Sequence, residues 1–320
     1  MALNIGELQQ IGIALESVWG TSPGTFTKGI AVNSFTVNPA ITSERVPEMD
    51  GSLIRARSSA GQIDFEVSFT FWLDPGDTTG ASLGQFLASL FGDDAVTGAT
   101  DPFTHTFKSQ NNAEPPSFSI YRKTGTLTKV YTGFRAGSVK FTINAADARI
   151  GIEVTGRVKS EATIASQTLT FSDETLLVPS QAALSIDGSS DINFESIEVT
   201  FSRTLEGIHT VSASRNISFL SSGDMLVDIA LNGIEPGDQV LRNKFLALHD
   251  ASSERFDIDL NIIRSASRKI EIDIPKSVFA TFEGPDVTEG LNRISATGFG
   301  LRDTGLQVLM VNAVAGAYDA

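Results

Sequence analysis

Ile63-Asp64-Phe65-Glu66-Val67-Ser68-Phe69-Thr70-Phe71-Trp72-Leu73 decides the fold class. Apolar residues fill every odd position, and Asp64, Glu66, Ser68 and Thr70 fill the even ones. Successive side chains of a strand point to opposite faces. The pattern therefore predicts a strand with one core face and one mostly polar face, with Trp72 a contact residue on the latter. The same alternation returns in Val139/Phe141/Ile143, Ile150/Ile152/Val154, Ile197/Val199/Phe201, Val227/Ile229/Leu231, Phe256/Ile258/Leu260/Ile262 and Ile270/Ile272/Ile274. Gly, Pro, Asn and Asp fall between these runs, as turns of antiparallel β structure require. The chain reads as mainly β.

Two stretches break the alternation with helical spacing. Leu83, Phe86, Leu87, Leu90 and Phe91 follow the i, i+3, i+4, i+7, i+8 rule, and Gly92 stands where a helix would end in a left-handed residue. Leu241, Phe245 and Leu248 share one helical face, with Asp238 placed to cap its start.

These elements recur in order. Pro75-Gly76-Asp77 matches Pro236-Gly237-Asp238, and Gln85-Phe86-Leu87-Ala88 matches Lys244-Phe245-Leu246-Ala247. Phe118-Ser119-Ile120 matches Phe256-Asp257-Ile258, and Val154-Thr155-Gly156 matches Ala296-Thr297-Gly298. The offset drifts from 161 at the turn to 142 at the last match, so the first half carries about 19 extra residues, mostly between Asp93 and Pro116. The pattern reads as an internal duplication. It predicts an N-terminal arm plus first domain over 1–160, a linker over 161–180, a second domain over 181–302 and a C-terminal arm over 303–320. Asn38–Gly61 and Arg203–Gly223 are too long for tight turns and predict projecting hairpins. The first carries Arg45, Arg55 and Arg57 beside Glu44, Glu48 and Asp50, a tip suited to burial against another subunit.

Composition narrows the function. The 320 residues suit two domains, each large enough for a core. There is no Cys, hence no disulfide, thiol nucleophile or Cys-ligated metal. No apolar run is long enough to span a membrane, and Met1–Glu7 lacks a secretory pattern, so the expectation is folding in the compartment of synthesis. The net charge of −14 argues against affinity for phosphate backbones. It is uneven: 13 basic and 15 acidic residues lie in 1–160, against 11 and 23 in 161–320.

A search for chemistry finds little. Gly20-Thr21-Ser22-Pro23-Gly24 fits G-x-S-x-G, but the strand before and the helix after that a nucleophile elbow needs are missing. His105, His209 and His249 lack metal-ligand spacing and read as surface or helix-end residues. Asp257 and Asp259 share a strand face, as do Glu271 and Asp273. Such pairs serve glycoside hydrolysis or calcium binding, and equally decorate a solvated strand face. Asn216-Ile217-Ser218 is a glycosylation sequon that matters only on secretion. The expectation is a non-enzyme with no catalytic, cofactor or metal site.

Ile11-Gly12-Ile13-Ala14-Leu15-Glu16-Ser17-Val18-Trp19-Gly20-Thr21-Ser22-Pro23-Gly24 resembles the N-terminal arm of tail tube proteins of long-tailed bacteriophages. The order that follows resembles that family too: strand, long hairpin, the strand Asp64–Leu73, and Leu83-Gly84-Gln85-Phe86-Leu87 heading a short helix. Residues 190–302 resemble it again without the arm. The resemblance implies two tandem β-sandwich or partly closed barrel domains, each with one flanking helix and a projecting hairpin. It implies rings stacked into a tube through which viral DNA leaves, without catalysis. A duplicated subunit implies a trimer with pseudo-sixfold symmetry in place of a hexamer. Implied partners are other copies of the chain, tape-measure, terminator and baseplate proteins, and DNA in non-specific transit. The implied location is the virion tail, assembled in the bacterial cytoplasm. Both apolar arms are expected to dock on neighbours. The rival readings are another tail ring component and a carbohydrate-binding β-protein or glycosidase.

Overall fold

The computed structural model describes residues 9–45, 58–109, 114–188, 193–211, 214–234, 255–288, 291–301 and 305–319. The first half contains β1 (Gln9–Leu15), β2 (Gly29–Ile30), β3 (Ser34–Arg45), β4 (Ser58–Trp72), α1 (Leu83–Phe91), β5 (Asp94–Thr97), β6 (Phe103–Lys108), β7 (Phe118–Thr124), β8 (Leu127–Asn144), β9 (Gly151–Val158) and β10 (Ser160–Thr163). The second contains β11 (Ala182–Ile186), β12 (Asn193–Ile208), β13 (Phe219–Ile234), β14 (Phe256–Ser265), β15 (Arg268–Thr288), β16 (Leu291–Gly300) and β17 (Gln307–Asn312). The protein is mainly β and its named strands all pair antiparallel.

The two halves pair their strands alike. In the first, β3 pairs with β4, β4 with β9, and β9 with the later part of β8. The early part of β8 pairs with β7 and β10, and β7 pairs with β1. In the second, β12 pairs with β13, β13 with β16, and β16 with the later part of β15. The early part of β15 pairs with β14 and β17, and β14 with β11. Three of their irregularities correspond as well, although the second half has further slips at Phe194/Ser196, Ile263/Ser265 and Glu283/Asp286. The register slips between Ile41/Ser43, Ala136/Ser138 and Phe118/Ile120 in the first half. It slips between Arg203/Leu205, Phe279/Thr281 and Phe256/Ile258 in the second. A bulge re-aims a strand, so shared bulges mean shared strand paths.

A seam joins the halves. Ser138–Asn144 of β8 pair with Ser196–Ser202 of β12, giving one continuous sheet in the order β3-β4-β9-β8-β12-β13-β16-β15. One face of this sheet is core: Val67, Phe69, Val139, Phe141, Val154, Val199, Phe201, Ile229 and Leu231 are all buried. Phe91, from the end of α1, packs with tilted rings at 5.3 Å against Phe201 of the other half, and Phe141 meets Phe201 edge-on at 6.3 Å.

Helix α1 forms where the apolar spacing predicts it. Ser82 and Gln85 close both arms of a capping box, and Gly92 ends it with φ 86. Phe86 packs against Phe69, Phe71 and Phe134, so the helix covers the bend of β8. The second predicted helix, over Leu241–Leu248 with Asp238, lies outside the described residues.

Segment 161–180, expected as a linker, runs bound along the first half. Thr170 N donates to Thr27 O (2.8 Å), Gly29 N to Thr170 O (2.7 Å) and Leu177 N to Leu73 O (3.0 Å). The described parts of the arms pair with strands of their own chain. β1 joins β2 and β7, and β17 lies between β15 and β6 with Val308 and Met310 fully buried. The reason is local supply: β6 and β15 offer parallel rows of backbone donors and acceptors within reach of the same chain, so the strand finds its partners without a second molecule.

Candidate functional site

The conspicuous surface is the open face of the eight-strand sheet. Hydroxyl and amide side chains line it and bond across strands: Ser34 with Thr70 (2.7 Å), Ser138 with Thr155 (2.6 Å), Asn232 with Ser196 (2.9 Å) and Thr281 with Thr297 (2.5 Å). Glu66, Glu153, Glu198 and Asp228 alternate with buried neighbours, which places them on this face; Asp64 shares the parity of Glu66, and Glu283 that of Thr281. The bases Lys140, Arg157 and Arg293 share it and sit beside acids: Lys140 is 2.8 Å from Glu198 across the seam, Arg157 3.7 Å from Glu66, and Arg293 3.3 Å from Glu195. Acids outnumber bases, so the face as a whole is negative. Trp72 stands on it under the Arg149 guanidinium at 5.7 Å.

Strand parity fixes the hairpins. Four successive antiparallel pairings lead from β3 to β12, so these two strands run the same way. The β3–β4 and β12–β13 hairpins therefore leave the sheet at the same end. They also touch: Ile63 N donates to Arg215 O (3.0 Å), Arg215 Nε to Gly61 O (2.7 Å), and His209 Nε2 lies 3.1 Å from Asp64 Oδ1. Ile41, Ile208 and Phe219 are exposed there at 54, 42 and 61%. The charged tip residues Glu48, Asp50, Arg55 and Arg57 lie outside the described residues.

The arm motif is a structural clamp. The Glu16 carboxylate is buried and accepts from Gly20 N (2.7 Å), Ser117 Oγ (2.8 Å), Ser119 Oγ (2.5 Å) and Gly133 N (2.7 Å). Trp19 Nε1 donates to Gly133 O (3.2 Å), and Lys159 Nζ caps the Trp19 ring at 4.5 Å. The Glu, the aromatic and the following Gly thus fasten the loop after β1 to β7 and β8.

The residues considered for chemistry are scattered. Ser22 accepts from Gly24 N (3.2 Å) in an ordinary turn. His105 is fully buried, contrary to the expected surface position. Its Nδ1 lies 2.9 Å from Asp94 Oδ2, and its Nε2 donates to Val314 O (2.9 Å); these partners satisfy both ring nitrogens and make burial tolerable. His209 is also largely buried, held by Asp64. His249 lies outside the described residues. Asp257, Asp259 and Asp273 bring carboxylate oxygens within 4.8 Å of one another. Burial first, then the charges of Asp259 and Asp273, push the Asp257 carboxyl above its usual range. Ser185 donates to Asp259 and Gln307 to Asp273. Glu271 points instead to Lys269 at 2.8 Å. A pocket of about 410 Å³ lies elsewhere, beside the seam, with Glu66, Arg157 and Arg203 in its wall. None of the three aspartates lines it. No helix among the described residues is long and apolar enough to cross a membrane.

An antiparallel sheet with one polar, acidic face, a capped helix on the other and two hairpins at one end defines a mainly β protein with two chemically distinct faces. The family model of the phage tail tube protein matches residues 6–288, and the chain belongs to that family. It is a structural protein of the virion tail, a major tail tube subunit. No individual curated protein matches it.

Proposed function

We propose that the chain carries two copies of one tube unit and that three chains close a ring of six units, stacked to form the tube. The observation that carries this reading is the β8–β12 seam. It already joins the first unit to the second, edge to edge. The edges equivalent to its two sides are free of other strands among the described residues. β3 pairs only with β4, and the later part of β15 pairs only with β16. Laying the β3 of a second copy on β15 repeats the same contact, and a repeated head-to-tail contact that closes is a ring. Both open edges of the eight-strand sheet are then consumed, which removes the aggregation hazard that they pose.

Parity supports stacking. If each seam is antiparallel like β8–β12, all hairpins emerge on one side of the ring. The exposed Ile41, Ile208 and Phe219 then face the next ring, and rings stack with one polarity. That favours an extended tube over a single terminal ring. The open acidic face becomes the channel wall. It repels DNA phosphates within about 8 Å at physiological salt, letting the genome pass without binding. Tape-measure, terminator and baseplate proteins would meet the tube along its bore and at its ends. No catalytic step belongs to this role.

The shared registers make the seam testable. Thr200 faces Lys140 in the observed seam, and their equivalents are Asn38 and Glu283. The protein has no Cys, so any disulfide in N38C/E283C comes from that pair. Mild oxidation should give covalent species ending at three chains; an end at six would mean one unit per ring position. A40C/E283C, two residues out of register, should link at least tenfold more slowly. Equal linkage of both, or none in either, would refute the seam.

A further inference from the structure

The two halves differ in one respect that the shared pairing scheme leaves unexplained. Residues 73–117 separate β4 from β7, whereas only residues 235–255 separate β13 from β14. The extra length in the first half is the β5–β6 hairpin. Its edge takes up the last strand of the second half: β6 pairs with β17 from Phe103↔Asn312 to Lys108↔Gln307. The other edge of β17 pairs with β15 from Lys269↔Val311 to Asp273↔Gln307. One strand thus bridges the halves at a second place, away from the β8–β12 seam.

The tail beyond β17 fastens this bridge. Asn312 Nδ2 donates to Pro75 O (2.9 Å) and to the Tyr318 hydroxyl (3.0 Å). Tyr318 N donates to Asp94 Oδ2 (2.8 Å), and His105 Nε2 to Val314 O (2.9 Å). The Tyr318 ring seats on Gly84 of α1, where a Cβ would come within 2.2 Å of it. Arg268, at the start of β15, reaches Asp101 in the β5–β6 turn (3.1 Å) and Glu174 (2.7 Å). The first-half strand equivalent to β17 is β10, and it lacks such a clasp. Among the described residues it pairs with β8 alone, and Glu161–Thr163 are exposed.

We infer that the β5–β6 hairpin, β17 and the C-terminal tail form a tie on the within-chain seam that the between-chain seams lack, so the ring is built and taken apart as whole chains at the β15–β3 contact. This rests on the ring reading. The interval between β13 and β14 is shorter than that between β4 and β7 by about the length of the β5–β6 hairpin, so the second unit offers that much less chain to hold the β10 of the next chain. The six seams of the ring then alternate between tied and untied. Disassembly opens the untied ones first.

Hydrogen exchange on the full-length protein tests the tie without requiring a ring. A chain ending after Asn312 keeps β17 and loses the tail; Gly84→Ala keeps every residue and unseats Tyr318. Each should raise exchange of the Ser196–Ser202 amides at least tenfold and change the β4–β9 amides less than twofold. An even rise throughout both halves, or no rise at the seam in both variants, overturns the tie. The ring consequence is read separately by adding urea to assembled N38C/E283C before oxidation. Loss of the interchain link at a urea concentration where Ser196–Ser202 remain protected supports alternating seams, and simultaneous loss overturns them. If that pair never links in the absence of urea, the ring reading fails, while the exchange result still decides the tie.

Discussion

Glu16 is a buried charge whose value lies in what it holds. Two backbone N–H groups and two serine hydroxyls converge on one carboxylate. A buried donor left without an acceptor costs about 1–3 kcal/mol, so the carboxylate matters most through the groups that it keeps satisfied. Glu16→Ala should destabilise the protein by about 3 kcal/mol, with Glu16→Gln losing less because its carbonyl keeps part of the set. Urea unfolding midpoints at constant slope would measure this. A loss below about 0.5 kcal/mol in Glu16→Ala, the size of an ordinary surface change, would mean that the clamp is dispensable. The motif was legible in the sequence as a resemblance, but its purpose was not. Ser117, Ser119 and Gly133 lie about a hundred positions away, and nothing in the local spacing announces them. His105 was opaque for the same reason. Between Thr104 and Thr106 it looks like a solvated strand residue until Asp94 and the Val314 carbonyl are brought to its two nitrogens.

At the scale of elements, period-2 alternation made the strands plain, because burial on one face imposes it residue by residue. Helix α1 was plain because its apolar stripe and Gly92 obey a different period. The extra segment Asp93–Pro116 was visible only as added length; its partner, β17, lies some two hundred residues later, and pairing between distant strands leaves no local mark. The hairpins were visible as hydrophilic stretches of alternating pattern. Their common direction needed the pairing order. β3 and β4 stay paired out to Arg45↔Ser58, well past Phe65, the last β4 residue that β9 reaches, so this ladder projects from the sheet. Deleting Glu44–Ser59 should therefore leave a folded chain with unchanged far-ultraviolet circular dichroism and a melting temperature within a few degrees. It should abolish tubes in electron micrographs. Tubes of normal length from the shortened chain would show that stacking does not use this hairpin.

The charge of the whole molecule gains meaning from the sheet's two faces. Among the described residues no acid of β4, β9, β12, β13 or β15 is buried on the core face, so those of the sheet collect on the open one. Several are neutralised by Lys140, Arg157 or Arg293, and the remainder set the sign. If this face is the channel wall, its sign controls whether DNA slides or sticks. Glu153 and Asp228 are the informative positions, one in each half, each flanked by buried neighbours in its strand. Glu153→Lys with Asp228→Lys should preserve the fold, since both side chains leave the core untouched. Tubes of this variant should hold short duplex DNA in a nuclease-protected form. The retained amount should fall at least tenfold between about 50 and 200 mM salt, as counterion release requires for several phosphate contacts. Wild-type tubes should protect none under the same conditions. Glu161→Lys, on the exposed β10 outside the sheet, serves as the control and should bind DNA only where nuclease can reach it. Equal protection by the control and the double variant would place the open face outside the channel, and would turn the ring's inner surface over to the other side of the molecule.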